Sequence, residues 1–291
     1  LFLSFSMDPT ETAKQIIREE LNSNIKKLNQ LGGGSISSVF LCELEKYKII
    51  LKINNSLIFP GVFEKEKKGL LKLKTSGVKT PHVIFEGVKC NIACLALEYI
   101  PNGNYVNWEL LGEKLAILHM NKNEFFGLNY DNYIGSLKQL NKNEDNWKDF
   151  YSNQRILHLT KFAFDRELLS KTDSKKLEEI CLKLDEYIPF SKPSLIHGDL
   201  WTGNLIFDID GKPVFIDPAI YYGHPEMDWA MLSLFGSYPE TAMKSYCNII
   251  PLENNYLERE KIYQLYPLLV HLILFGRGYY RNISDILNFY S

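Results

Sequence analysis

The stretch from Leu195 to Pro218 constrains this chain more than any other. It runs Leu195-Ile196, then His197-Gly198-Asp199-Leu200-Trp201-Thr202-Gly203-Asn204, then the apolar Leu205-Ile206-Phe207. A turn at Asp210-Gly211 follows, and Val214-Phe215-Ile216 ends on Asp217-Pro218. Short β-rich runs on either side of an Asp-Gly pair predict a hairpin. Its flanks leave Asp199, Asn204 and Asp217 at loop or strand ends, each held by apolar neighbours. An Asp after Gly is ordinary turn chemistry. The whole string with a second Asp at a strand end is not. It suits one carboxylate as proton acceptor and an amide–carboxylate pair as ligands for a hard cation such as Mg²⁺. Phosphoryl transfer uses that arrangement.

The rest of the chain predicts a frame for those groups. Glu11 to Leu31 carries a helical pattern through Ile16, Ile17, Leu21, Ile25 and Leu28. Gly32-Gly33-Gly34-Ser35 breaks it, and strands are expected around Val39-Phe40-Leu41 and from Lys48 to Ile53. A helix over Phe63 to Leu73 and strands over Val83 to Val88 and Cys94 to Tyr99 complete a small, mostly β region. Pro101-Asn102-Gly103 ends it. Helices follow over Leu110 to Met120, Trp147 to Leu169 and Ser174 to Tyr187, and again from Met227 onward. The order predicts an α+β architecture of two lobes, residues 7–98 and 99–291, with a cleft between them.

Two charges in the first lobe stand out. Lys52 sits inside the apolar strand Ile49-Ile50-Leu51-Lys52-Ile53, and Glu66 lies on the apolar face of its helix with Phe63 and Leu70. Either would be costly to bury alone, so the two are expected to pair. In kinases such a pair sets the lysine on the α- and β-phosphates. The glycine run is a weak signal in isolation, yet its backbone N–H groups can approach phosphates closely.

Composition excludes several alternatives. With 33 basic and 35 acidic residues there is no basic excess for a nucleic-acid partner. The five cysteines have no framework spacing, which points to a reducing compartment, the cytoplasm. Cys90 and Cys94 with His82 lack a second ligand pair and read as buried cysteines of a strand pair. The run Leu265–Phe275 is broken by His271 and is too short to span a bilayer. The apolar start has no basic segment, so no signal peptide is expected; Met7 is the expected natural start.

With these motifs assembled, the chain resembles the fructosamine-3-kinase (ketosamine kinase) family, which belongs with the aminoglycoside and choline phosphotransferases in the protein-kinase-like fold. HGDLWTGN, IDPAIYYGHPEMDWAMLSLFG and GGGSISSVF carry the resemblance, with DNYIGSLKQLN at Asp131–Asn141 and the final LYPLLVHLILFGRGYY. It extends from about Gly32 to the end. The Asp and Asn core is shared by all these phosphotransferases; Trp201, Tyr222-Gly223-His224 and Phe235-Gly236 point to ketosamine kinases. The resemblance implies a small β-rich N-lobe and a larger helical C-lobe. It implies ATP and Mg²⁺ as cofactors, and transfer to the 3-hydroxyl of a ketosamine, free or on a protein lysine, leading to deglycation. Gly32, Gly33, Gly34 and Ser35 become the nucleotide loop. Glu98, Tyr99 and Ile100 become the junction whose backbone meets the adenine. Asp199 becomes the base, with Asn204 and Asp217 on the metal. His197 and Asp228 brace the catalytic loop. Trp201 and His224 are expected on the sugar side. Val270 and Ile273 stand where relatives often carry Asn, a departure in the sugar contact.

Three rivals remain open in the sequence. An aminoglycoside- or choline-type kinase would need several acidic residues for a cationic substrate, and only Glu226 and Asp228 are candidates. A metal-dependent hydrolase built from His197, Asp199, Asp217 and His224 leaves Lys52, Glu66 and the glycine run unexplained. A non-catalytic kinase-like binding module fits poorly with every catalytic position being filled.

Overall fold

A computed structural model of the chain describes residues 8–32 and 37–290. Gly33, Gly34 and Ser35 of the expected nucleotide loop lie outside the described residues, as does the expected start at Met7. Asp8 caps helix α1 (Pro9–Glu20) by accepting the Thr10 N–H at 3.0 Å, and Pro9 takes the first-turn position where no N–H is needed. The helix ends at Glu20 rather than running on to Leu31. Asn22 turns through a left-handed φ of 44°, and Ile25–Leu31 is strand β1. The helical spacing of Ile25 and Leu28 is instead that of a bulge. Register slips between Ile25 and Lys27, and the extra residue lets both apolar side chains face the same core.

Strands β2 (Ser38–Leu44), β3 (Lys48–Asn55), β4 (Val83–Lys89) and β5 (Ile92–Glu98) join β1 in an antiparallel sheet of order β1-β2-β3-β5-β4. Alternation in β3 sends Ile49, Leu51 and Ile53 to the face covered by Ala13 and Ile17 of α1. Lys52 therefore points to the opposite face, where helix α2 (Val62–Thr75) packs Val62, Phe63 and Leu70 against Leu95 and Leu97. Cys94 is buried as expected, whereas Cys90 is exposed in the β4–β5 turn at φ 49°. A tight two-residue turn there needs positive φ, and that places its side chain outward.

Beyond Pro101 the chain builds a helical lobe. It opens with α3 (Trp108–His119) and a short hairpin, β6 (Asn132–Ile134) with β7 (Leu137–Gln139). Then α4 (Trp147–Asp149) passes through a π-helical stretch, Phe150–Leu157, into α5 (His158–Asp165). Helices α6 (Lys171–Leu182) and α7 (Leu184–Tyr187) lead to β8 (Ser194–Ile196). The expected hairpin forms from β9 (Leu205–Phe207) and β10 (Pro213–Phe215), and β11 (Tyr221–Gly223) returns to pair with β8. The chain closes with α8 (Glu226–Leu234), α9 (Glu240–Cys247), α10 (Tyr256–Phe275) and α11 (Tyr280–Phe289). Pro267 sits inside α10 and offers no N–H to the Tyr263 carbonyl; the Tyr151 hydroxyl donates there at 3.2 Å and to Ile262 at 2.6 Å. No described helix is long and apolar enough to cross a membrane.

Helices α3 and α9 cross at their closest on Gly112, where an added Cβ would lie 2.0 Å from the Ala242 carbonyl oxygen. Backbone cannot yield as a flexible side chain does. Gly112→Ala is therefore expected to destabilise the protein by about 2 kcal/mol or more, despite alanine's better helix propensity, and a thermal melt several degrees below the parent checks it.

Candidate active site

The cleft between the sheet lobe and the helical lobe has a volume of about 430 Å³. At its inner end Lys52 reaches across both lobes. Its Nζ lies 2.7 Å from Glu66 Oε1 and 2.5 Å from Asp217 Oδ1, a residue 165 positions away. Burial opposes the lysine's charge, but Asp217 and Glu66 outweigh it and hold the ammonium well above its ordinary pKa. Burial also pushes the Glu66 carboxyl up, and Asp217 adds to that, while Lys52 draws it back.

The loop after β8 is held by a carboxylate behind it. Asp228, fully buried at the start of α8, accepts the N–H of His197 at 2.7 Å and of Gly198 at 2.9 Å. His119 Nε2 meets the same carboxylate at 3.2 Å. Burial raises the energy of that charge, but the hydrogen bonds from His119 and His197 win and keep it below the usual carboxylate range. Gly198 adopts φ 80°, and a Cβ there would lie 2.2 Å from the Ala219 carbonyl oxygen, so only glycine fits. His197 Nε2 donates to the Ile216 carbonyl at 2.9 Å, which leaves Nδ1 to accept the Asp199 N–H at 3.3 Å. Both ring nitrogens are engaged, so His197 holds the loop and has no lone pair to spare for catalysis.

Asp199 and Asn204 are coupled directly. The Asn204 side-chain amide donates to the Asp199 backbone carbonyl at 2.9 Å and to its Oδ2 at 3.0 Å. With the nitrogen so committed, the Asn204 Oδ1 is the atom left to meet a cation. Asp217, the other oxygen ligand expected, is held by the strained backbone conformation φ 52° just past β10. Gln139 donates to the Ala219 carbonyl at 3.0 Å and Asn132 to that of Ile220 at 2.9 Å, fixing the chain on its far side. A hard divalent cation fits this donor set of amide and carboxylate oxygens. Removal from water and the nearby Asp217 charge push Asp199 up to about 7, against the Asn204 hydrogen bond that lowers it.

Comparison with known proteins gives the same direction. The fructosamine kinase family model matches residues 9–290. The chain belongs to the fructosamine kinase family. A "Probable ketoamine kinase" of Lactiplantibacillus plantarum is 34% identical over 91% of this chain and 94% of its own. The chloroplastic protein-ribulosamine 3-kinase of Arabidopsis thaliana is 33% identical over 99% of this chain and 89% of its own. A crystal structure from Thermobifida fusca, described as a "putative fructosamine-3-kinase", superposes with a TM-score of 0.86 at 32% identity, covering 95% of this chain and 97% of that one. An aminoglycoside phosphotransferase solved with AMP-PNP and hygromycin B reaches a TM-score of 0.64 at 14% identity, over 95% of this chain and 96% of that one. That last likeness is one of fold. As a member of the family, the chain is a phosphotransferase of protein-kinase-like fold that uses ATP.

Not every expected residue of this fructosamine kinase family member reaches the cleft. Lys52, Glu66, Asp199, Trp201, Asn204 and Asp217 line it. Glu98, Tyr99 and Ile100 lie at the lobe junction and are not among its described lining residues; the Glu98 carboxylate accepts the His82 N–H at 3.1 Å. Gly32 is described, but the loop it opens is not. His224 is a correction. It is 2% exposed and packs between the rings of Tyr263 and Trp147, with centroids 5.1 and 5.9 Å away. The residue follows the short strand β11 into the core of the helical lobe and is not among the described lining residues of the cleft. Glu226, a candidate for meeting a cationic substrate, is also turned inward, where Arg259 Nε and Nη2 clasp it at 2.7 and 2.5 Å. With His197 engaged and His224 in the core, neither histidine on which the hydrolase reading rests is free in the cleft. Val270 lines the cleft, while Ile273 packs in the core.

Sequence reading passed over Asn132, Gln139 and His271. The last had a visible signal, a single polar residue interrupting the apolar run of α10. Asn132 and Gln139 had none, since buried amides that brace a distant loop look like any loop amides.

The raised Asp199 pKa has a consequence for stability. Below about pH 4 the side chain is protonated folded and unfolded alike; between there and about 7 only the unfolded chain releases the proton, so ionisation works against the fold as pH rises. Asp199→Asn keeps the Asn204 hydrogen bond without the charge. Thermal melts should therefore show the variant more stable than the parent at pH 8, with the gap closing toward pH 4. An equal gap at both pH values counts against the buried charge.

Proposed function

We propose that this enzyme transfers the γ-phosphoryl group of ATP to a sugar hydroxyl of a ketosamine, the 3-hydroxyl being the preferred position, on free adducts or on glycated protein lysines. The observation that carries the reading is the convergence of Asp199, Asn204 and Asp217 on the Lys52–Glu66 pair in one cleft. The family and the relatives named for ketoamines and ribulosamines support the acceptor class. A 3-phosphorylated ketosamine can decompose to release the amine, which would make the reaction a deglycation.

In this reading Asp199 accepts the hydroxyl proton as the oxygen attacks phosphorus and the bond to ADP breaks. Its carboxyl, poised near neutrality, is suited to that exchange. Asn204 orients Asp199 through its amide and turns Oδ1 toward the metal position. Asp217 supplies the second oxygen ligand there. Lys52, set by Glu66, offsets the phosphate charge. Held by Asn204 and Asp217, a Mg²⁺ ion would supply neutralisation of the phosphate charge. The backbone of Gly32 to Ser35 would cover the phosphates, and that of Glu98 to Ile100 would meet the adenine. The lobes divide near Glu98, residues 7–98 carrying nucleotide contacts and 99–291 the acceptor. The cytoplasm is the proposed location, on the cysteine usage described above.

The aminoglycoside alternative is disfavoured by charge. The carboxylates lining the cleft are Glu66, Asp199 and Asp217, all at the phosphate end, and Glu226 and Asp228 are paired in the core. ADP release measured with fructosyl- and ribulosyl-lysine, kanamycin and choline tests the proposal. Ketosamines should be turned over and the others not. Asp199→Ala should lower kcat by about 10²- to 10⁴-fold. Asn204→Ala and Asp217→Ala should abolish Mg²⁺-dependent turnover. Turnover of kanamycin without ketosamine turnover overturns the acceptor assignment, and full activity of either ligand variant overturns the metal assignment.

A further inference from the structure

The two ends of the cleft differ in charge. All three lining carboxylates sit at the phosphate end, two of them engaged by Lys52. The other end is walled by Phe235, Val270, His271, Leu274, Phe275 and Tyr279. His271 stands among the aromatic rings of this wall. The centroids of Phe235, Tyr279 and Phe275 lie 4.3, 5.0 and 5.3 Å from its own.

The state of this imidazole follows from its partners. Nδ1 lies 2.7 Å from the Pro267 carbonyl oxygen, one helical turn back. A carbonyl only accepts, so Nδ1 carries the proton. Burial disfavours a second proton and holds the group below its ordinary pKa. The ring is neutral, and Nε2 keeps a bare lone pair that no described side chain or backbone N–H occupies. The wall thus offers an acceptor-only nitrogen framed by π faces, with no carboxylate among the described groups that act on it.

That combination selects a ligand group. A sugar hydroxyl is neutral and gains little from aromatic faces. A cation that only donates gains from both features, through a hydrogen bond to the lone pair and attraction to the ring quadrupoles. A ketosamine carries one such group, the protonated secondary amine on its first carbon. Resting on the ketosamine reading above, we propose that His271 Nε2 accepts a hydrogen bond from that amine, with Phe235, Phe275 and Tyr279 around the charge. His271 is then a specificity-determining contact. It accommodates one ammonium group at this end of the cleft, and it gives a polycationic acceptor no carboxylates for its remaining charges.

The test compares a fructosyl-amine with the matching fructose ether, in which oxygen replaces the amine nitrogen and the charge is gone. KM is measured for both with parent, His271→Phe and His271→Gln, with Ki used where the ether is not turned over. His271→Phe keeps an aromatic ring and removes the lone pair. It should raise KM for the amine about tenfold or more while kcat, KM for ATP and the value for the ether move less than about threefold. His271→Gln, whose Oε1 can accept, should recover part of the loss. Equal loss on amine and ether, or none on the amine, overturns the proposal. If His271→Phe fails to fold, His271→Leu takes its place with the same expectations. A parent enzyme that phosphorylates no fructosyl-amine overturns the ketosamine reading, whereas a parent that does so with His271→Phe unaffected overturns this inference alone.

Discussion

Lys52 joins the two halves of this molecule, and the site depends on it. It is anchored in the middle of a strand whose neighbours are apolar, so its ammonium has lost most of its water. Two carboxylates compensate, one from α2 beside it and one from the far lobe. A buried ammonium with no carboxylate beside it would be expensive in a protein interior, and the second carboxylate leaves one negative charge over, part of which is felt as the raised pKa of Glu66. The pairing across lobes therefore does two things. It fixes the depth of α2 against the sheet, and it places the strained Asp217 over the same point as Asp199 and Asn204. Pro218 lies within 3.1 Å of where a Cβ on Gly69 would stand, so the lobes approach closely where α2 carries a glycine.

A second layer of buried polar groups supports the first. Asp228 receives two consecutive backbone N–H groups and a histidine, and it does so with no exposure to solvent. Asn132, Gln139 and Tyr266 form a connected set, the Tyr266 hydroxyl donating to Gln139 at 2.7 Å and Gln139 to Asn132 at 2.8 Å. Tyr266 belongs to the same helix as Val270 and His271. The acceptor wall and the loop bearing Asp217 thus share a hydrogen-bonded support. Networks of this kind are rigid when fully satisfied.

Much of this was legible in the sequence, for identifiable reasons. Lys52 and Glu66 announced themselves because a charge in an apolar stripe demands a partner. The hairpin between Asn204 and Asp217 was visible from an Asp-Gly turn between β-rich runs. What failed was periodicity where the backbone is irregular. The bulge in β1 imitates a helical repeat, since one extra residue converts a spacing of two into three. His224 failed for another reason. An aromatic ring beside a glycine suits a sugar site and a core equally, and only the path of β11 decides between them. The proposed adenine junction and glycine loop would carry their chemistry on backbone atoms, which leave little trace in residue identity.

The bulge in β1 has an effect beyond its own register. β1 is an outer strand of the sheet, with no neighbouring strand on one side among the described residues. A flat, apolar border of that kind invites a second chain to dock and extend the ladder. Here the irregularity bends the border away from the plane, and the exposed Lys26 and Lys27 set positive charge along it. The sheet lobe is in this way protected against self-templated aggregation while this border stays open to water.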